Sequence, residues 1–205
     1  SDPLPDLFKP NAEHWEQTLA VNPHLVALLA DEMARECGLA VLFHAMPAAA
    51  RYGEGGWTLT VCLKEGLRDY GARVLVDATG DGNVVGLAGF PLERQPVLQP
   101  ATLMFVLGGY EFQRLEPVAL RAAYEKALAE GLFTEADFGW GGDRLIAFLR
   151  RRGENGMHLC GVDASTSEGR SAAEQKGREL VLRMLRWLRT LPGLENVRLE
   201  RMAAV

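Results

Sequence analysis

Cysteine is scarce in this chain. The 205 residues hold three, Cys37, Cys62 and Cys160, far apart and odd in number. That excludes a disulfide framework and any Cys-x-x-Cys metal or redox pair. Such usage suits a reducing compartment, and a cytoplasmic location is expected. Histidine is thin as well: His14, His24, His44 and His158 contain no i, i+4 pair, so the spacing carries no zinc signature. Positive charge is not in excess. Twenty-two Lys and Arg against 27 Asp and Glu leave a formal net charge of -5. A nucleic-acid partner would need a basic stripe, so none is expected. Long apolar runs are missing too. The most apolar stretch, residues 39–50, is broken by His44 and Pro47. It falls well short of the ~18 residues that signal a membrane helix. Residues 1–10 do not pair a basic start with an apolar run, so neither a secretory signal nor a membrane partner is expected.

What is present is the composition of a globular α/β protein: 48% hydrophobic and 24% charged residues, enough for one domain or two small ones. The three prolines of residues 1–10 read as a linker. Asn22 is a good N-cap with Pro23 at the first helical position, and Leu25, Leu28, Leu29 and Met33 recur at helical spacing up to Gly38. Residues 40–43 read as a short buried strand. Gly53-Glu54-Gly55-Gly56 is a turn, and residues 57–64 alternate as a half-buried antiparallel strand. A further turn ends at Gly71. Residues 73–78, Arg-Val-Leu-Val-Asp-Ala, read as a strand covered on both faces.

Pro91, Pro96 and Pro100 then mark a crossing between units. Residues 102–107 read as a strand and 117–130 as a helix, while 145–149 fits either. Residues 157–162 read as a strand. Ser171 and Glu174 have capping-box spacing and open a long helix to about Arg189, with Ala173, Gly177, Leu180, Val181, Met184 and Leu188 on its buried face. Pro192-Gly193 stops it, and residues 196–201 read as a strand.

The segment richest in chemistry is Asp77-Ala78-Thr79-Gly80-Asp81-Gly82-Asn83, between the strand at 73–78 and a short helix. Such a turn bares backbone N–H groups at a positive helix end, which suits a phosphate or a ribose. Asp81 would bond a ribose hydroxyl or cap the helix. On spacing alone an ordinary strand-to-helix turn is the plainer account. Gly80, Gly82 and Gly86 make G-x-G-x-x-x-G, one residue longer than the dinucleotide fingerprint, and no G-x-G-x-x-G occurs elsewhere.

Residues 76–84 resemble the DATGDGD segment of bacterial FAD-dependent oxidoreductases related to the glutathione-reductase-like flavoproteins. The helix and strand of residues 22–44, the hairpin between Trp57 and Tyr70, and Ser171-Ala172-Ala173-Glu174, Arg178 and Leu191-Pro192-Gly193-Leu194-Glu195-Asn196 are similar to further stretches of that family. Asn83 departs from the family's acid. The resemblance implies a partial FAD-binding domain with a β-meander over residues 1–90, joined by a return segment at 191–205, and an inserted substrate or covering domain over 91–190. It implies FAD contacts from Ala78, Thr79, Gly80, Asp81 and Gly82. It also implies adenine contact near Met46 and Pro47. Pro47 has no N–H, which shifts that contact to Met46 or Ala48. The family's phosphate-binding G-x-G-x-x-G is not in the chain, so a fragment inactive by itself is expected.

Other candidates have plainer readings beside the chemical ones. His158 and Cys160 would share one strand face as an imidazole–thiol pair, or be ordinary strand residues. His44 would approach the cofactor or serve as a hydrogen-bonded strand end. Arg150-Arg151-Arg152 would bind an anionic substrate or form a solvated loop. Trp140 would stack on a ring system or pack in a core. The function implied is part of an FAD-dependent oxidoreductase acting on an unidentified small molecule, with no catalytic acid or base assigned. The alternatives are a non-enzymatic binding or scaffold module, and an NADP-type reductase using Gly80-Asp81-Gly82 as its phosphate turn. An incomplete flavin domain would expose apolar surface and favour a homodimer.

Overall fold

The structure, a computed structural model, describes residues 22–94, 96–139 and 142–203. The linker reading of residues 1–10 and the Trp140 readings fall outside these. The protein mixes helices with antiparallel sheets, as the α/β reading expected. It divides into two compact units, 1–92 and 93–205.

The first unit opens with α1 (Pro23–Glu36), whose Asn22 cap accepts from the His24 and Leu25 amides. A three-stranded meander follows: β1 (Met46–Gly53), β2 (Gly56–Leu63) and β3 (Gly66–Ala72), in the order β1-β2-β3. Two-residue loops join them, because Gly53 pairs with Gly56 and Leu63 with Gly66. Gly56, at φ +102°, is obligatory: a Cβ there would meet the Ala72 carbonyl oxygen at 2.8 Å. Gly71, expected in a turn, instead lies inside β3 opposite Thr58. Helix α2 (Asn83–Leu87) packs on β1, and Ala50, Val61, Leu63 and Val84 are the buried apolar residues described in this unit.

Two expected strands of this unit are absent as strands. Residues 40–43 and 73–78 join no sheet among the described residues, and Val41, Phe43, Val74 and Val76 are exposed. Their composition suits a buried strand, but a strand exists only where another chain segment offers its hydrogen-bonding edge.

The second unit packs helices around a sheet of order β5-β4-β6: β4 (Phe105–Gly108), β5 (Gly153–Glu154) and β6 (Arg198–Met202). Residues 191–203, expected with the first unit, lie here, with β6 antiparallel to β4. Helix α3 (Pro117–Ala129) begins at a proline as expected, and residues 144–150 resolve as helix α4 (Arg144–Arg150). The strand expected over 157–162 reduces to a single bridge between Leu159 and Ala101. The core is aromatic: Phe138 sits edge-on to Tyr124, Phe133, Phe148 and Trp187, with centroids 5.1 to 5.9 Å apart.

Helix α5 (Ser167–Leu188) buries the six residues its periodicity named, and carries the Glu174–Arg178 and Glu179–Arg183 pairs on its wet side. Its start differs from the expectation. The cap is Thr166, whose hydroxyl accepts from the Gly169 amide at 3.0 Å, while Ser171 donates back to the Ser167 carbonyl from inside the helix. Ser/Thr-x-x-Glu spacing recurs within helices, so the pattern alone does not locate the end. Thr166→Ala is expected to cost about 1 kcal/mol, seen as a lower thermal midpoint, and Ser171→Ala to leave that midpoint almost unmoved.

Candidate functional site

The turn after residues 73–78 is organised by Asp77. Its Oδ1 accepts from the Thr79 amide at 2.9 Å and the Thr79 hydroxyl at 2.6 Å, and its Oδ2 from the Val85 amide at 2.9 Å. The Thr79 hydroxyl in turn accepts from the Asn83 amide at 2.8 Å. The Thr79 side chain, then the Thr79 and Val85 amides, hold the Asp77 carboxyl down at about 2. The N-terminus of α2 is therefore filled by the protein's own oxygens. It offers no vacant anion site at the Asn83 and Val85 amides, and the Asp77 charge opposes a phosphate there.

The rest of the turn is open. Gly80 and Gly82 have φ +86° and +67°. A Cβ on Gly80 would enter free space, whereas one on Gly82 would press on Leu92 at 3.1 Å. Asp81 is exposed and makes none of the capping bonds, which come from Asp77 and Thr79. The capping role weighed for Asp81 is therefore taken by other residues. α2 carries this turn to β1. There, Met46 is exposed and Pro47 pairs with Val61, and a bulge leaves Ala48 without a β2 partner. His44 is exposed with φ 55°.

The second unit holds a polar cleft of about 480 Å³, lined by Gln99, Pro100, Thr102, Arg151, Asn155 and His158. His158 is fixed in its wall. Its Nδ1 lies 3.1 Å from the Thr102 hydroxyl, and its amide donates to the Ala136 carbonyl. Burial, then the Arg151 charge, lowers its pKa. Cys160 is exposed, and because residues 157–162 make only the Leu159 bridge, the shared strand face expected for it and His158 does not form.

The chain between Arg151 and Asn155 is strained. Arg152, Gly153 and Glu154 have φ 60°, 89° and 42°, and each left-handed non-glycine residue costs on the order of 1–2 kcal/mol. Pairing with β4 holds the run in place: Leu107 donates to the Arg152 carbonyl at 2.8 Å, and Arg152 Nε donates to the Leu107 carbonyl at 2.7 Å. Arg152 also pairs with Glu200.

The family model described as FAD dependent oxidoreductase matches residues 6–205. The chain belongs to that family. No curated protein and no solved structure matches it. Within this FAD-dependent oxidoreductase chain, the structure brings Ala78 to Gly82 into one turn and sets the following helix beside the strand that starts with Met46 and Pro47. Sequence reasoning missed Asp77 as the organiser of the turn. The available signal was Asp-x-Thr, a spacing that favours an Asx turn. It also missed the cleft, whose walls come from segments about 50 residues apart. Among the described residues, no helix is long and apolar enough to cross a membrane.

Proposed function

We propose that this protein supplies part of the FAD site of an oxidoreductase, with Ala78, Thr79, Gly80, Asp81 and Gly82 against a hydroxyl-bearing portion of the cofactor. The observation that carries this reading is the division of labour in the turn. Asp77 and Thr79 satisfy the helix amides, which leaves the Asp81 carboxylate exposed beside an open glycine backbone. A carboxylate accepts hydrogen bonds from sugar or polyol hydroxyls but repels a pyrophosphate. The residues therefore fit a ribose or ribityl segment better than the phosphate expected as one alternative. Adenine contact through the bulged backbone at Ala48, beside Met46 and Pro47, belongs to the same reading. When bound, the flavin supplies the electron-transfer chemistry, and these residues hold and orient it.

The test is the visible absorbance of the chain after FAD is added and the excess removed. Because these residues form only part of the site, weak flavin bands that saturate with added FAD are expected to follow the protein. Asp81→Ala should lower the retained flavin at least tenfold, about 1.4 kcal/mol of binding, with an unchanged melting curve. Retention equal to the parent protein would remove the turn from the site. A parent protein that stays colourless at saturating FAD would refute binding by this chain. Gly82→Val is the weaker test, because its positive φ and the Leu92 contact strain the fold directly.

A further inference from the structure

Three consecutive arginines, Arg150, Arg151 and Arg152, go to three different places. Arg150 lies over the Phe112 ring, 5.3 Å from its centroid. Arg152 is spent on the Leu107 carbonyl and Glu200. Arg151 lines the polar cleft and makes no ion pair among the described residues. No carboxylate is among the lining residues described for that cleft, whereas two amides, Gln99 and Asn155, and one hydroxyl, Thr102, are. The strained run at 152–154 lies between Arg151 and Asn155, which both line the cleft. Backbone strain of this kind persists only where surrounding structure enforces it, and it collects at binding sites.

We propose that this cleft binds a small organic acid by its carboxylate, with Arg151 as the charge partner and Asn155, Gln99 and Thr102 as neutral hydrogen-bonding groups. A guanidinium presents a planar fork that matches a carboxylate edge to edge. One cation among neutral amides suits a single carboxylate group better than a phosphate, which recruits several cations or a nest of backbone amides. The volume is in the range of small-ligand sites. The inference stands on the second unit alone and does not depend on the flavin reading.

His158 reports on the site. A carboxylate seated on Arg151 offsets the charge that helps lower the imidazole pKa, so binding raises it. The experiment is an NMR titration of the whole chain with succinate, following the histidine ring resonances. A saturable shift confined to His158, with its pKa moving up, is expected. Arg151→Met should weaken succinate at least tenfold, and Arg151→Lys should keep part of the binding. Arg151 is exposed, and matching thermal melts check that each variant is folded. Succinamide, with the same shape and no charge, should produce no shift. Unchanged affinity in Arg151→Met, an equal response to succinamide, tighter binding of inorganic phosphate, or no saturable shift by tens of millimolar succinate would each overturn the proposal.

Discussion

Phe138→Ala is expected to destabilise the second unit by about 3–5 kcal/mol, the range for removing a buried aromatic ring. Phe138 is fully buried, and four aromatic side chains, Tyr124, Phe133, Phe148 and Trp187, meet it edge-on or nearly so. Truncation opens a cavity and removes every one of those contacts, each of which adds to the plain burial of area. The walls come from α3, α4, α5 and the loop residue Phe133. They are tied by separate backbone ladders and close the hole only in part. Domains are stable by about 5–15 kcal/mol, so the variant sits near the edge of folding. The check is the urea midpoint at constant slope. Val118→Ala, on a residue 76% exposed, serves as the control and should fall within about 0.5 kcal/mol of the parent. A Phe138→Ala loss as small as the control's would contradict the assigned core.

Asp77→Ala is expected to disorder the turn at 77–85 and lower flavin retention at least as far as Asp81→Ala does. One carboxylate accepts from two amides and a hydroxyl, and the Thr79 hydroxyl it orients caps Asn83. Its removal leaves the Val85 amide of the five-residue α2 without its side-chain acceptor and frees the Thr79 hydroxyl that caps Asn83. Asp77→Asn keeps one acceptor oxygen and should fall between the two. Acid should imitate the substitution. The carboxyl titrates near 3.8 when unfolded and at about 2 in the folded turn. A depressed folded value contributes stability that is present above about pH 4 and lost as pH falls through about 2. The Thr79 and Val85 amide resonances should shift across that window. Resonances that stay put in Asp77→Ala would show that the turn is held by something other than this side chain.

The parts of the fold that read directly from the sequence are those set by neighbours within one or two helical turns. The buried face of α5 follows from apolar residues at helical spacing, and α3 begins at Pro117, where proline loses no helix bond. The second strand of the meander, β2, follows from alternation between glycine turns. The glycine-rich turn at 80–82 is visible as a turn for the same reason: positive φ favours glycine wherever it occurs.

Tertiary structure decided whatever needs a second segment from far along the chain. Residues 73–78 and 157–162 have strand composition, yet hydrogen-bonding partners determine strands, and neither finds a full one among the described residues. β6 joins β4, about 90 residues earlier, a pairing that no local pattern encodes. The occupation of the α2 amides depends on where the Asp77 side chain folds back, and the separate fates of Arg150, Arg151 and Arg152 depend on Phe112, Leu107 and Glu200. Local spacing thus determined α1, α3 and the buried face of α5 and the glycine turns at 53–56 and 80–82, while the motif at residues 76–84 carried the resemblance to a flavoprotein family. Tertiary packing decided which of the other strand-like segments formed strands and which arginine reached a cleft, because each is settled by contacts between residues that the sequence keeps apart.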